Sequence, residues 1–153
     1  MIDFDKAMIS AIESENLTFV TLLAEKFYKK NDYSDSKFLY NALISGCIDI
    51  VEYLLSMGAD LDNIDILDAE CIIFDCVKEN YIEVIQLLLN EIEFDQEDID
   101  KMFNRSEPYS EEFVELLINS GANVKKYGNK VYQKAKKLKN NTLAKYLKKN
   151  IKL

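Results

Sequence analysis

Five windows of this chain share one seven-residue pattern: Leu17-Thr-Phe-Val-Thr-Leu-Leu23, Ile48-Asp-Ile-Val-Glu-Tyr-Leu54, Ile82-Glu-Val-Ile-Gln-Leu-Leu88, Glu111-Glu-Phe-Val-Glu-Leu-Leu117 and Asn141-Thr-Leu-Ala-Lys-Tyr-Leu147. Each has an apolar pair at its third and fourth positions and Leu at its seventh. The fourth-position residues, Val20, Val51, Ile85, Val114 and Ala144, are separated by 31, 34, 29 and 30 residues. A recurring unit of this size implies an architecture of stacked supersecondary modules, because one short module cannot bury its apolar face alone.

The module reads as a pair of helices. Ile48, Val51, Leu54 and Leu55 draw a single stripe down a helix. Eight residues before the third position of each window stands a small or apolar residue in four copies, Ala11, Ala42, Cys76 and Ala135, with Arg105 the exception. A small residue there lets a preceding helix approach closely. Asn16, Ser45-Gly46, Asn80 and Asn141 mark the turns between first and second helices. Gly58 and Gly121, in Met57-Gly-Ala-Asp-Leu61 and Ser120-Gly-Ala-Asn-Val124, fall where a left-handed helix stop is expected. Only four Gly and one Pro among 153 residues favour helices on short loops over a turn-rich β-sandwich. The expected class is all-α, one domain over 1–153, with units near 1–32, 33–64, 65–95, 96–125 and 126–153.

The segment ALISGCIDIVEYLLSMGADLD, Ala42 to Asp62, resembles the ankyrin repeat in its first helix, glycine turn, apolar second helix and Gly-Ala-Asp exit. EEFVELLINSGANV, Glu111 to Val124, resembles the second half of another. The family's Thr-Pro-Leu-His opening survives only as the leucine of Lys37-Phe-Leu-Tyr40, and the third unit lacks the exit glycine at Glu91-Ile-Glu-Phe94. The tetratricopeptide alternative needs tryptophan in its first helix, and the chain has none. The resemblance implies an ankyrin-like helix-pair solenoid of about five stacked repeats. It also implies a protein-binding edge made of hairpin fingers and first helices.

Charge is segregated along the chain. Through Glu115 there are 27 acids and eight bases, a net of −19, whereas from Lys125 onward eleven lysines and no acid give +11. Asp60–Glu70 and Glu91–Asp100 hold five and six acids with no base in either. On the ankyrin resemblance these are finger regions, and their carboxylates would steer a cationic partner. The expected protein-binding residues are Asp60, Asp62, Asp65, Asp68, Glu93, Asp95 and Asp98, with Phe94, Tyr33 and Tyr40 supplying apolar contact. A structural role competes, since Asp65, Asp68, Glu97 and Asp98 are placed to complement helix N-termini.

The basic end reads as a polar cap over a narrow stripe of Val131, Ala135 and Leu138. Its alternative reading is nucleic-acid or other anionic-partner binding by the lysines with Tyr127, Tyr132 and Tyr146 interleaved. Lysine lacks the bidentate fork of arginine, and Arg105 is the only arginine.

Motifs for chemistry are missing. The chain has no histidine, no glycine-rich phosphate loop and no Cys-x-x-Cys pair among Cys47, Cys71 and Cys76, which are expected to be small buried hydrophobes with reduced thiols. The Asp60-x-Asp62-x-x-Asp65 spacing does not match a calcium loop. The expectation is a non-catalytic adaptor or inhibitor that binds a basic protein surface, with no cofactor, metal, membrane or small-molecule substrate. An intracellular site of action, including delivery into a host cell, goes with it.

Overall fold

The computed structural model describes residues 3–29, 37–105 and 110–151. Among these residues the protein is all-α, with ten α-helices and no strand. The fold divides into two compact units, Met1–Ile92 and Glu93–Leu153.

The first unit contains α1 (Phe4–Glu13), α2 (Leu17–Phe27), α3 (Lys37–Ser45), α4 (Ile48–Ser56), α5 (Ile66–Glu79) and α6 (Ile82–Glu91). Consecutive helices pair, α1 with α2, α3 with α4 and α5 with α6, and α3 lies between α1 and α5 while α2 meets α4. Met8, Ile12, Phe38, Leu39, Leu43, Ile50, Leu54 and Ile72 fill the space between them, all with almost no exposure. Each such side chain contributes about 1.5–3 kcal/mol through burial. The second unit contains α7 (Gln96–Asn104), α8 (Glu111–Asn119), α9 (Val124–Lys137) and α10 (Asn141–Asn150). Here α7 packs on α8 and α9, and α10 packs on α8 and α9, around Met102, Phe103, Phe113 and Leu147.

The turn inside a pair repeats at atomic detail. Glu15, Gly46, Asn80 and Lys139 all adopt positive φ, each one residue before the N-cap of the second helix. In three pairs that N-cap amide donates to the carbonyl of the small residue noted above: Asn16 to Ala11 (2.9 Å), Tyr81 to Cys76 (2.8 Å) and Asn140 to Ala135 (2.9 Å). Ala11, Ala42, Cys76 and Ala135 are all buried. Their small size lets the turning chain close down on the first helix. The exit also repeats, because Gly58 and Gly121 have φ of 100° and 97° and the next amides, Ala59 and Ala122, return to Leu54 and Leu117 at 3.0 Å.

Several expectations are corrected. The fourth pair is joined by residues 105–110, longer than the two- or three-residue connections elsewhere, so counting eight back stops short of the helix. Arg105 is therefore the C-cap of α7, and Met102 and Phe103 fill the interface. Asn140 rather than Asn141 caps α10. Phe19, at the third position of the first window, is 42% exposed, while its counterparts Ile50, Val84, Phe113 and Leu143 are buried. Leu138 leaves the Val131–Ala135 stripe, because α9 ends at Lys137 and its C-cap, Leu138, no longer follows helical periodicity.

One charged contact ties the first unit together. Lys37, the first residue of α3, places Nζ 2.5 Å from Asp5 Oδ2 of α1, and the Tyr28 hydroxyl donates to Asp5 Oδ1 at 2.6 Å. The Lys37 and Tyr28 hydrogen bonds hold the Asp5 carboxyl below its ordinary value. A folded value below the unfolded one means this stability is present above the unfolded pKa and is lost as pH falls through the folded one. Both side chains are more than a third exposed, at 39% and 47%, so solvent screens the pair. Asp5→Asn is expected to lose about 0.5 kcal/mol at neutral pH. Urea denaturation should show that difference shrinking below about pH 4.

Candidate protein-binding surface

The acids flagged in the sequence fall into both units, and local folding decides what each one does. In the first unit Asp60 opens a single 3-10 turn, Leu61–Asn63, accepting the Asp62 N–H at 3.0 Å. Asp65 caps α5 by accepting the Asp68 N–H at 2.8 Å. Asp60, Asp62, Asp65 and Asp68 are all exposed, while Leu61 and Ile64 turn inward and anchor the segment. The segment is not the hairpin finger that the resemblance implied. Its second half belongs to α5 itself, and among the described residues it contains no strand.

The same unit exposes apolar side chains that burial rules alone would hide, two of them between Asp65 and Asp68. Leu67, the second residue of α5, is 73% exposed, and Ile66 beside it is also exposed. On α3, which packs against α5, Tyr40 and Ile44 are exposed one helical turn apart. Between Lys37 and Lys78 the chain carries eight acids and no base. The first unit thus offers desolvatable area inside a negative field, the combination that gives both steering and affinity. Tyr40 was legible from sequence. Ile44, Ile66 and Leu67 were missed, although Ile44 and Leu67 fall off the buried stripes Phe38-Leu39-Ala42-Leu43 and Ala69-Ile72-Ile73-Cys76, a periodicity signal that could have found them. Tyr33 lies outside the described residues.

In the second unit the flagged acids are more fully committed to structure. Asp95 and Asp98 form a reciprocal capping box at the start of α7: Asp95 Oδ1 accepts the Asp98 N–H at 2.9 Å, and Asp98 Oδ2 accepts the Asp95 N–H at 3.4 Å. The Asp98 amide holds the Asp95 carboxyl below its ordinary value. Lys101 Nζ stands 3.3 Å from Glu97 and 3.5 Å from Asp98, and the Glu97 contact raises its pKa. Glu93 is exposed and Phe94 half-buried. The structure therefore gathers Asp60, Asp62, Asp65, Asp68 and Tyr40 in one unit and places Glu93, Phe94, Asp95 and Asp98 in the other.

One acid that sequence patterning did not single out is structurally central. Asp100 is buried, and its Oδ1 accepts from the Asn123 N–H at 2.7 Å and from Gln96 Nε2 at 3.0 Å. Gln96 Nε2 also donates to the Gly121 carbonyl at 3.0 Å. These bonds fasten α7 to the turn that opens α9. Gln96 and Asp100 line a groove of about 500 Å³ with Glu97, Lys101 and Lys126, so that it holds two acids and two bases.

Several lysines at the basic end are also engaged. Lys134 Nζ donates to the Asn104 carbonyl at the end of α7 at 2.6 Å, and burial lowers its pKa. Lys126 and Lys136 sit 4.8 Å and 5.7 Å from the ring centroids of Tyr127 and Tyr132. Those two rings, read from sequence only as interleaved among the lysines, carry the protein's own cations.

The cysteines differ from the expectation of three buried hydrophobes. Cys76 is buried, Cys47 half-buried and Cys71 exposed. Burial, reinforced by Asp75, pushes the Cys76 thiol up to about 12, and its Sγ donates to the Leu43 carbonyl at 3.5 Å. Among the described residues no group of three or more Cys, Asp and Glu side chains is arranged to hold a metal ion, and no helix is long and apolar enough to cross a membrane. No protein-family model matches the chain, and comparison with curated proteins finds no significant match.

Proposed function

We propose that the chain is built of degenerate ankyrin-like repeats, the helix-pair solenoid its sequence resembles, and serves as a non-catalytic adaptor or inhibitor that binds a basic protein surface. The observation that carries this reading is the exposed Leu67, Ile66, Tyr40 and Ile44 set within a stretch of eight acids and no base. The recurrent turn geometry and buried small residues support the repeat assignment. A rigid run of packed helices holds such a surface with little ordering cost on binding. A second reading, an anionic partner on the lysine-rich end, is narrowed by the internal engagement of Lys126, Lys134 and Lys136, which leaves Lys137 and Lys139 beside the exposed Leu138 as its contact.

The test separates charge from folding. Asp62→Lys and Asp68→Lys reverse charges whose side chains cap no helix, while Asp60→Asn and Asp65→Asn remove charge but keep a capping oxygen. The fourfold variant should keep its helical spectrum and lose tenfold or more in capture of basic proteins, a ratio of about 1.4 kcal/mol or above. Undiminished capture by the variant, or retention dominated by immobilised RNA or DNA, would refute the reading.

A further inference from the structure

The acidic face of the first unit has its chemical counterpart in the same polypeptide. Leu138, the C-cap of α9, is 50% exposed, and Lys136, Lys137 and Lys139 around it are all exposed. Leu67 is the mirror image in charge, an exposed leucine with Asp65 and Asp68 on either side and Asp60 and Asp62 just upstream. An exposed leucine ringed by like charges is a poor solubilising design by itself. Two such knobs of opposite sign can desolvate each other while their rims attract.

We propose that the basic end of one copy docks on the acidic face of the first unit of a second copy, with Leu138 set against Leu67. This rests on the reading of that face as a receptor for basic surfaces and names a resident occupant for it. The contact joins two different patches, so it is head-to-tail. A foreign basic partner displaces this self-contact, which makes the available acidic surface depend on protein concentration and salt.

The test is sedimentation of the full chain over a hundredfold concentration range, at ionic strengths of about 0.02 M and about 0.5 M, where the Debye length falls severalfold. At low salt the weight-average mass should rise with concentration, and at high salt it should return to the monomer. Leu138→Asp and Leu67→Lys should each abolish the rise, with circular dichroism confirming the fold. A variant with Asp62→Lys and Asp68→Lys and another with Lys137→Glu and Lys139→Glu should each be monomeric alone. Mixed, they should form a 1:1 heterodimer and nothing larger, since one intact patch of each kind remains. A mass that stays monomeric, or that rises equally in these variants, overturns the proposal. A lysine-leucine peptide titrated against the same wild-type protein separates the two ideas. If it binds while the chain stays monomeric, only self-docking fails; if it does not bind, the receptor reading fails with it.

Discussion

Gly46→Ala is expected to cost about 2–5 kcal/mol of stability, from two separable sources. Gly46 has φ of 77°, where a β-carbon is disfavoured by about 1–2 kcal/mol. The added carbon would also stand 2.4 Å from the Tyr81 ring, which packs over the glycine. Relieving that overlap means displacing an aromatic ring at the start of α6, an overpacking cost of about 1–3 kcal/mol. Gly121 is the internal comparison, because its φ is 97° but a β-carbon added there would meet nothing within 4 Å. Gly121→Ala should lose only the conformational part, about 1–2 kcal/mol. Urea denaturation of both variants checks this, and Tyr81→Ala in the Gly46→Ala background should recover part of the loss as a coupling energy. Equal losses for the two glycine variants would show that the Tyr81 contact contributes nothing.

The second large effect is expected at Asp100. Asp100→Ala removes the acceptor from the Asn123 amide, and leaves Gln96 Nε2 with only its bond to the Gly121 carbonyl. Hydrogen bonds to a charged group contribute about 1.5–3 kcal/mol, so the total loss should be about 2–4 kcal/mol. Asp100→Asn keeps one carbonyl oxygen where Oδ1 stands and should lose about 1 kcal/mol, the charge-assisted share. Hydrogen exchange should localise the damage, with amides in the first turn of α9 losing protection first. If alanine and asparagine behave alike, the carboxylate is not acting as the fastener between α7 and α9.

The helical class and the turn positions were legible because they depend on local signals. Asn16, Asp65, Ser110 and Asn123 each accept the amide three residues on, as capping chemistry requires. The fourth-position residues Val20, Val51, Ile85 and Val114 are buried as periodicity demanded. What sequence could not supply was which stripe residues lack a neighbour. Phe19 satisfies the same pattern as its buried counterparts, and only the packing of adjacent helices distinguishes it, whereas Ile44 and Leu67 fall off the buried stripes of α3 and α5. Asp100 was hidden for the opposite reason, as one carboxylate in an acidic run. The usable signal was its place next to Ile99 and two residues before Met102 and Phe103, inside an apolar stripe. The fingers failed for a further reason: Asp65 and Asp95 are strong helix starters, and they pull the acidic segments into α5 and α7.

Those same helix starters can give up their charge without giving up their structural role. Because Asp60, Asp65 and Asp95 cap through a single oxygen, asparagine fits each position with the start of the helix intact and one charge fewer. Electrostatic attraction can thus be dimmed in steps of one charge without disturbing the scaffold, whereas alanine at the same places would unravel helix starts as well as neutralise them.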